Sequence, residues 1–272
     1  MNHLRQTKFL FFVIFVIFTT YKTTLGQLAV GIRGGYSHAW VDKVDTRNIS
    51  NTKQENIDGF NLGATTEYAF NYFFALRMDI YYCQKGYKVT KTPTEQSPAQ
   101  NTGGLGNDTW QVNMNYLMVP ILPTLFYATK KYKFFAYSGP SVGYWGWGTK
   151  SGSFYVNDLG GNTIKVKSET ENYPFIDNYN YGNQKDNRWD VGATIGAGMG
   201  ILIKYGEIFI EGRYNHGFTD AIAFRGTPPP THTPRYNRNV EINLGFRRMI
   251  LKRKTRKKPV EEEEEFNYEG EY

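Results

Sequence analysis

The chain carries a single cysteine, Cys83, in 272 residues. One thiol cannot close an internal bridge, so the chain is not a disulfide scaffold. After Gln27 it also lacks any apolar run near the roughly 20 residues that a transmembrane helix needs, and its mean hydropathy is −0.53. A helical membrane protein is therefore excluded. No metal-ligand spacing, phosphate-cradling glycine loop or cofactor motif is present, so no cofactor is expected. Nor is there a recognisable nucleic-acid module. A formal charge of +7 would invite nucleic acid, but the positive residues are scattered, and Arg5, Lys8 and Lys22 fall in an export signal. No nucleic-acid partner is expected.

That signal is read from its parts. Arg5 and Lys8 precede Phe9 to Phe18, FLFFVIFVIF, and Thr24-Leu25-Gly26 puts small residues at the minus-three and minus-one positions. The pattern predicts a signal peptide over residues 1–26, cleaved before Gln27. An uncleaved anchor is the alternative, but ten apolar residues are too few to span hydrocarbon. No cysteine follows the run, which argues against a lipoprotein anchor.

Aromatic residues and glycine are abundant instead. The chain is 17% aromatic, with 21 Tyr, 19 Phe and 28 Gly. Membrane-spanning barrels are rich in both, since rings anchor at the two interfaces and glycine fits a crowded lumen. The organising stretch is Arg188 to Phe218, RWDVGATIGAGMGILIKYGEIFIEGRYNHGF. Trp189, Val191, Ala193, Ile195, Ala197, Met199, Ile201 and Ile203 share one parity, and Asp190, Gly192, Thr194, Gly196, Gly198, Gly200 and Lys204 fall almost wholly on the other. A period of two is a strand. GAGMG, Gly196 to Gly200, is read as small inward residues inside that strand.

Similar segments recur at about Leu28 to Val41, Asp58 to Phe70, Phe73 to Val89, Thr109 to Tyr127, Lys133 to Trp147, Trp189 to Lys204, Glu207 to Phe218 and Asn239 to Leu251. Their connections alternate between short and long, as in a barrel with short periplasmic turns and long outer loops. A soluble up-and-down barrel has no reason to gather its long loops at one end. The predicted fold is all-β: an eight-stranded antiparallel up-and-down transmembrane β-barrel over residues 27–251, placed in the outer membrane and contacting its lipid. Residues 252–272 form a charged tail, expected to be disordered and periplasmic. In it, Lys252 to Lys258 holds six basic residues and Glu261 to Glu265 five acidic ones, and such blocks stay solvated.

The polar parity supplies a lumen cluster: Glu67, Arg77, Asp79, Asp190, Glu211, Arg213, Glu241 and Arg247, with Lys204 also directed inward. Bulges near Gly86 and Pro120 are expected to threaten this alternation. Eight strands leave an interior only wide enough for side chains, so opposite charges are expected to pair across it as a plug. The third outer loop, from Gly148 to Arg188, is long and aromatic. Its Phe154, Tyr155, Tyr173, Phe175, Tyr179 and Tyr181 are a candidate contact surface for an envelope protein; the alternative is that the rings pack together and cap the barrel mouth. That loop is expected to extend the fifth and sixth of these strands into a hairpin above the membrane, turning at NDLGGN, Asn157 to Asn162. The tail is the other candidate for a partner. No catalytic residues are expected. The competing reading, a barrel hydrolase acting on lipid A or peptides, would rest on His38, on His216 with Asp220, and on Ser141, but no serine is placed beside a histidine by spacing.

The blocks VGIRGGYSHAW, FNLGATTEYAFNYFFALRMDIYYCQKGYK, YLMVPILPTLFYATKKYKFFAYSGPSVGYW, DVGATIGAGMGILIKYGEIFIEGRYNHGFTD and NVEINLGF resemble the PorT-like outer-membrane β-barrel family of Bacteroidota. The resemblance runs from Leu28 to about Leu251. It implies an outer-membrane barrel of about eight strands, with a link to type IX secretion in one member. Taken with the closed lumen and the long loops, the expected role is non-enzymatic, as a scaffold, adhesin or accessory subunit of an envelope complex. It carries over no catalytic residue.

Overall fold

The computed structural model describes residues 27–42, 52–91, 108–157, 163–175, 184–224, 228 and 234–251. Its strands are β1 (Gln27–Val41), β2 (Thr52–Glu55), β3 (Ile57–Ala69), β4 (Phe74–Lys91), β5 (Asp108–Ala128), β6 (Tyr132–Asn157), β7 (Thr163–Asn172), β8 (Gln184–Asp186), β9 (Trp189–Ile203), β10 (Gly206–Gly217), β11 (Ile222–Phe224) and β12 (Asn237–Leu251). Around the wall the order is β4-β3-β1-β12-β10-β9-β6-β5, and β5 pairs back onto β4. These eight strands therefore close an antiparallel barrel, which leaves the wall no unpaired edge.

Alternation decides which face is which. Ile32, Leu62, Ile80, Leu125, Ile195 and Ile242 all point outward and are exposed, while their neighbours Arg33, Asn61, Asp79, Thr124, Thr194 and Glu241 are buried inside. Large inward groups are given room by glycine. Arg33 on β1 is paired with Gly63 on β3 and Gly245 on β12, and a Cβ at Gly63 would lie 2.3 Å from the Ile80 carbonyl oxygen. Gly198 serves the opposite wall in the same way, since a Cβ there would meet Ile210 O at 2.4 Å and the Phe135 ring at 2.6 Å.

The expected bulges do not disturb the faces. Gly86 has φ +144°, yet Lys85 and Val89 stay inward on either side of it; Met118 and Leu122 likewise stay buried across Pro120. The shift falls on β6 instead. There Tyr116 pairs with Trp145 and Asn115 with Trp147, so Gly146 is the extra residue and Trp147 turns outward while Trp145 stays buried.

Three connections at one end are tight. Asn71 Oδ1 accepts from the Phe73 and Phe74 amides at 3.0 and 2.7 Å, and Thr129 Oγ1 accepts from the Tyr132 amide at 2.9 Å. The third turn is Lys204-Tyr205. Lys204 therefore lies exposed in that turn, a correction to its inward assignment: the alternation ends one residue earlier, at Ile203, where the chain must reverse.

At the other end the strands outrun the barrel. β6 continues to Asn157, but its new partner is β7, with Thr149 opposite Asn172, and β9 joins β6 only from Trp189 opposite Tyr144 onward. The rim hairpin is thus β6–β7, and β9 takes no part in it. Most of NDLGGN lies outside the described residues. β2 lies on β4 beyond the end of β3, giving a raised rim ordered β2-β4-β5-β6-β7.

Candidate functional site: the sealed lumen and its outer cap

Twelve ionisable side chains of Arg, Lys, Asp and Glu are buried in the described residues: Arg33, Arg77, Lys85, Lys133, Arg213 and Arg247 against Glu67, Asp79, Asp190, Glu207, Glu211 and Glu241. Six cations face six carboxylates. They pair in three layers along the barrel axis, each internally balanced.

Nearest the tight turns, Lys133 and Arg247 both bond Glu67, and they reach Glu207 at 3.5 and 3.0 Å. Glu67 and Arg77 are cross-strand neighbours on β3 and β4. In the middle layer Arg77 bonds Asp79 at 2.9 Å and Glu211 at 2.6 Å. Arg213 bonds the same two acids at 2.7 and 2.9 Å, and Arg33 reaches Glu241 at 2.6 Å and Asp79 at 3.3 Å. Asn215 and Asn239 donate to Glu241 at 2.9 and 2.8 Å, and Asn243 to Glu211 at 3.4 Å. Above them Lys85 bonds Asp190 at 3.1 Å. Every member thus has an opposite charge, without which an ion buried from water would be very costly.

Each cation also lies over a ring. Arg33 sits 4.3 Å from the Tyr81 centroid, Arg77 5.2 Å from Tyr137, Lys85 5.0 Å from Tyr116, Lys133 4.7 Å from Phe126, Arg213 5.3 Å from Tyr137 and Arg247 4.4 Å from Phe209. The ring faces add attraction, and their bulk fills the space that the short carboxylates leave. All eight residues of the lumen cluster read from the sequence are buried here. Sequence reasoning left out Arg33, Lys85, Lys133 and Glu207, although each lies on the inward parity of its strand: Arg33 between Gly31 and Gly35, Lys85 after Tyr81 and Cys83.

Around the Lys85–Asp190 pair lies an aromatic and thioether cluster that includes Tyr116, Trp145, Met114 and Met118. Tyr173 and Phe175, from the third loop, close over Trp145 with ring centroids 4.9 and 4.8 Å away. Arg188 locks them, its guanidinium 4.2 Å from the Phe175 centroid and donating from Nε to Trp145 O at 3.0 Å. Burial pushes the Tyr173 phenol well above its ordinary pKa. These two rings are half-buried and take the capping arrangement. Phe154 and Tyr155 lie on the β6 rim extension, with side chains outside the described residues; Tyr179 and Tyr181 fall wholly outside them.

The residues considered for hydrolysis are not brought together. Ser141 is buried on the lumen side, whereas His216 keeps the outward parity of β10 and contacts Tyr214 and Phe218. Asp220 is occupied by the Ile222 and Arg235 amides, both at 3.1 Å. His38 does have a carboxylate, Asp58, 2.7 Å from Nδ1. Its Nε2 meets the Asn56 side chain at 3.1 Å, where a nucleophile would have to stand. Among the described residues no group of three or more His, Cys, Asp and Glu could hold a metal.

A closed wall of long strands, apolar outside and charge-paired within, defines a membrane-spanning β-barrel. The chain belongs to the outer membrane protein beta-barrel domain family, whose model matches residues 20–223, and so to the outer membrane. That match leaves out β12, the strand that closes the wall between β1 and β10. No curated protein matches the sequence. Solved structures similar to it include the attachment invasion locus protein Ail of Yersinia pestis, crystallised with the heparin analogue sucrose octasulfate. It is 14% identical, over 81% of this chain and 99% of that one, with a TM-score of 0.33. OprG of Pseudomonas aeruginosa is 12% identical over 80% and 95%, TM-score 0.37. The outer membrane protease OmpT of Escherichia coli is 9% identical over 85% and 99%, TM-score 0.32. An attachment protein and a protease stand side by side in this set, so no activity follows from the likeness.

Proposed function

We propose that this protein is an exported, non-enzymatic outer-membrane barrel that works through its two ends, as a scaffold, adhesin or accessory subunit of an envelope complex. The observation that carries this reading is the lumen, where six cations, six acids and their rings occupy the interior with every charge paired. A side chain bonded to two partners and stacked on a ring is in no position to bind or pass a solute. The residue blocks quoted above support membership of the PorT-like group of Bacteroidota and, with it, a link to type IX secretion. The signal over residues 1–26 supports export, and the even strand number supports a periplasmic placement of the tight turns and of residues 252–272.

The outer rim and the tail are the surfaces offered to a protein partner. The test is affinity purification from the native membrane in mild detergent, with the full chain, with residues 149–187 removed, and with residues 252–272 removed. A co-purifying envelope protein lost with one deletion locates the contact. Recovery of the same set of proteins from all three chains refutes a partner at either place.

A further inference from the structure

Because the lumen charges cancel, the exposed groups set the charge of each end. At the end with the tight turns, the exposed charged side chains among the described residues are Lys130, Lys131, Lys204 and Arg248. The carboxylates on the adjoining strand ends, Glu67 and Glu207, point inward and are taken up by Lys133 and Arg247. Among the described residues, the exposed charges of this end are therefore all positive. Its bases are also confined to one arc: Lys130 and Lys131 lie between β5 and β6, Lys204 between β9 and β10, and Arg248 on β12. Those five strands are adjacent in the wall. The remaining turn, Phe70 to Phe73, carries rings and no charge.

The cations stand beside interfacial rings. Lys131 Nζ is 5.6 Å from the Tyr132 centroid and Lys204 Nζ 5.2 Å from that of Tyr205, while Tyr72 and Tyr127 are largely exposed nearby. Tyrosine rings on a barrel settle at headgroup depth, so an ammonium beside such a ring lies at the level of lipid phosphates. Spread over five strands, the four bases cannot converge on one small anion. They suit a row of separate headgroups.

We propose that the arc formed by Lys130, Lys131, Lys204 and Arg248 is a docking surface for anionic phospholipid headgroups of the leaflet that the tight turns face. The proposal rests on the outer-membrane barrel reading and on the placement of that end given above. Its consequence is orientation: an arc gripped on one side selects which lipids border β5, β6, β9, β10 and β12, and which way the barrel leans.

The experiment is electron paramagnetic resonance of spin-labelled phosphatidylglycerol and phosphatidylcholine around the protein, reconstituted in phosphatidylcholine bilayers at low salt. The full chain should prefer the anionic lipid by about fivefold, the effect of a single cation near an anionic surface, and high salt should remove the preference. The combined variant Lys130→Gln, Lys131→Gln, Lys204→Gln, Arg248→Gln should fall to near parity, and a chain ending at Leu251 should keep a clear preference. Full preference in the combined variant overturns the proposal, as does its loss in the shortened chain alone, which would assign the binding to the tail. Heat-modifiable migration of each variant reports the barrel separately. Failure of the full chain to give a folded band in any lipid would overturn the barrel reading itself.

Discussion

Glu211→Gln keeps the side chain's shape and removes its charge from the middle layer. Three guanidinium groups would then face two acids, Asp79 and Glu241. Glu211 bonds Arg77 at 2.6 Å and Arg213 at 2.9 Å and lies 3.5 Å from Arg33, so three cations lose a partner together. Breaking a buried pair by removing one member costs about 3–5 kcal/mol, because the other charge is left uncompensated. For a domain of this size each kcal/mol moves the midpoint by about 2–4 °C, so thermal unfolding should fall by on the order of 10 °C. The assay is loss of heat-modifiable migration with temperature, checked by urea titration of the refolded barrel. Adding Arg77→Gln restores the count to two against two, and the double variant should be less destabilised than the sum of the singles by about 1–3 kcal/mol. A loss below about 1 kcal/mol for Glu211→Gln, or strict additivity in the cycle, would refute the claim that neutrality holds the lumen closed.

Replacing the cap with Tyr173→Ala and Phe175→Ala should leave the barrel folded but wet Trp145. Its emission should move to the red and become quenchable by iodide, and an unchanged spectrum would remove the cap from the account. Gly198→Val should block assembly, since its Cβ would meet the Ile210 carbonyl 2.4 Å away; a folded band of normal yield would show that the facing strand gives way. At the rim, hydrogen bonds from Lys88 and then Lys53 hold the Glu55 carboxyl below its ordinary pKa. A depressed folded-state value means that stability is present above the ordinary glutamate pKa and lost as pH falls through the folded one. Acidification should therefore lower the hydrogen-exchange protection of β2, taken relative to the intrinsic exchange rate at each pH, before it lowers that of β1, and protection of β2 that stays constant with pH would count against the ion pairs.

The strands were legible because one physical rule, lipid on one face and side-chain pairing on the other, writes a period of two over more than ten residues at a time. It placed Glu211 and Arg213 inward without any structure. It failed where a single residue breaks the rule. Gly146 is such a case, because a bulge changes which of Trp145 and Trp147 is buried and glycine gives no sign of facing either way. Lys204 failed for a related reason: at a strand's last residue the alternation has no later position to confirm it. Arg33, flanked by glycines, was passed over because glycine has no polarity to show. The structure puts the signal in other glycines, Gly63 on β3 and Gly245 on β12, since a guanidinium of that size needs empty places on both neighbouring strands. The rim hairpin was legible from its turn, since β6 ends at Asn157 and β7 begins opposite it at Thr163; what was not legible is that this second arm is a separate strand from β9, because that depends on where the barrel hydrogen bonds stop.

The arrangement of charge bears on where function can lie. Pairing confined to layers means that no layer of the lumen carries net charge to draw an ion inward, and each guanidinium is held by acids from different strands. Arg77 on β4 joins Asp79 to Glu211 on β10, and Arg33 on β1 joins Asp79 to Glu241 on β12. These bonds cross the lumen as struts, which stiffen a small wall that lipid alone would leave free to shear. A barrel braced in this way gives its two ends fixed positions relative to each other: the half-buried rings and raised strands at one mouth, and the positive arc at the other. Rigid presentation of loops is what a binding or assembly role needs, and a conducting role would be obstructed by the same struts.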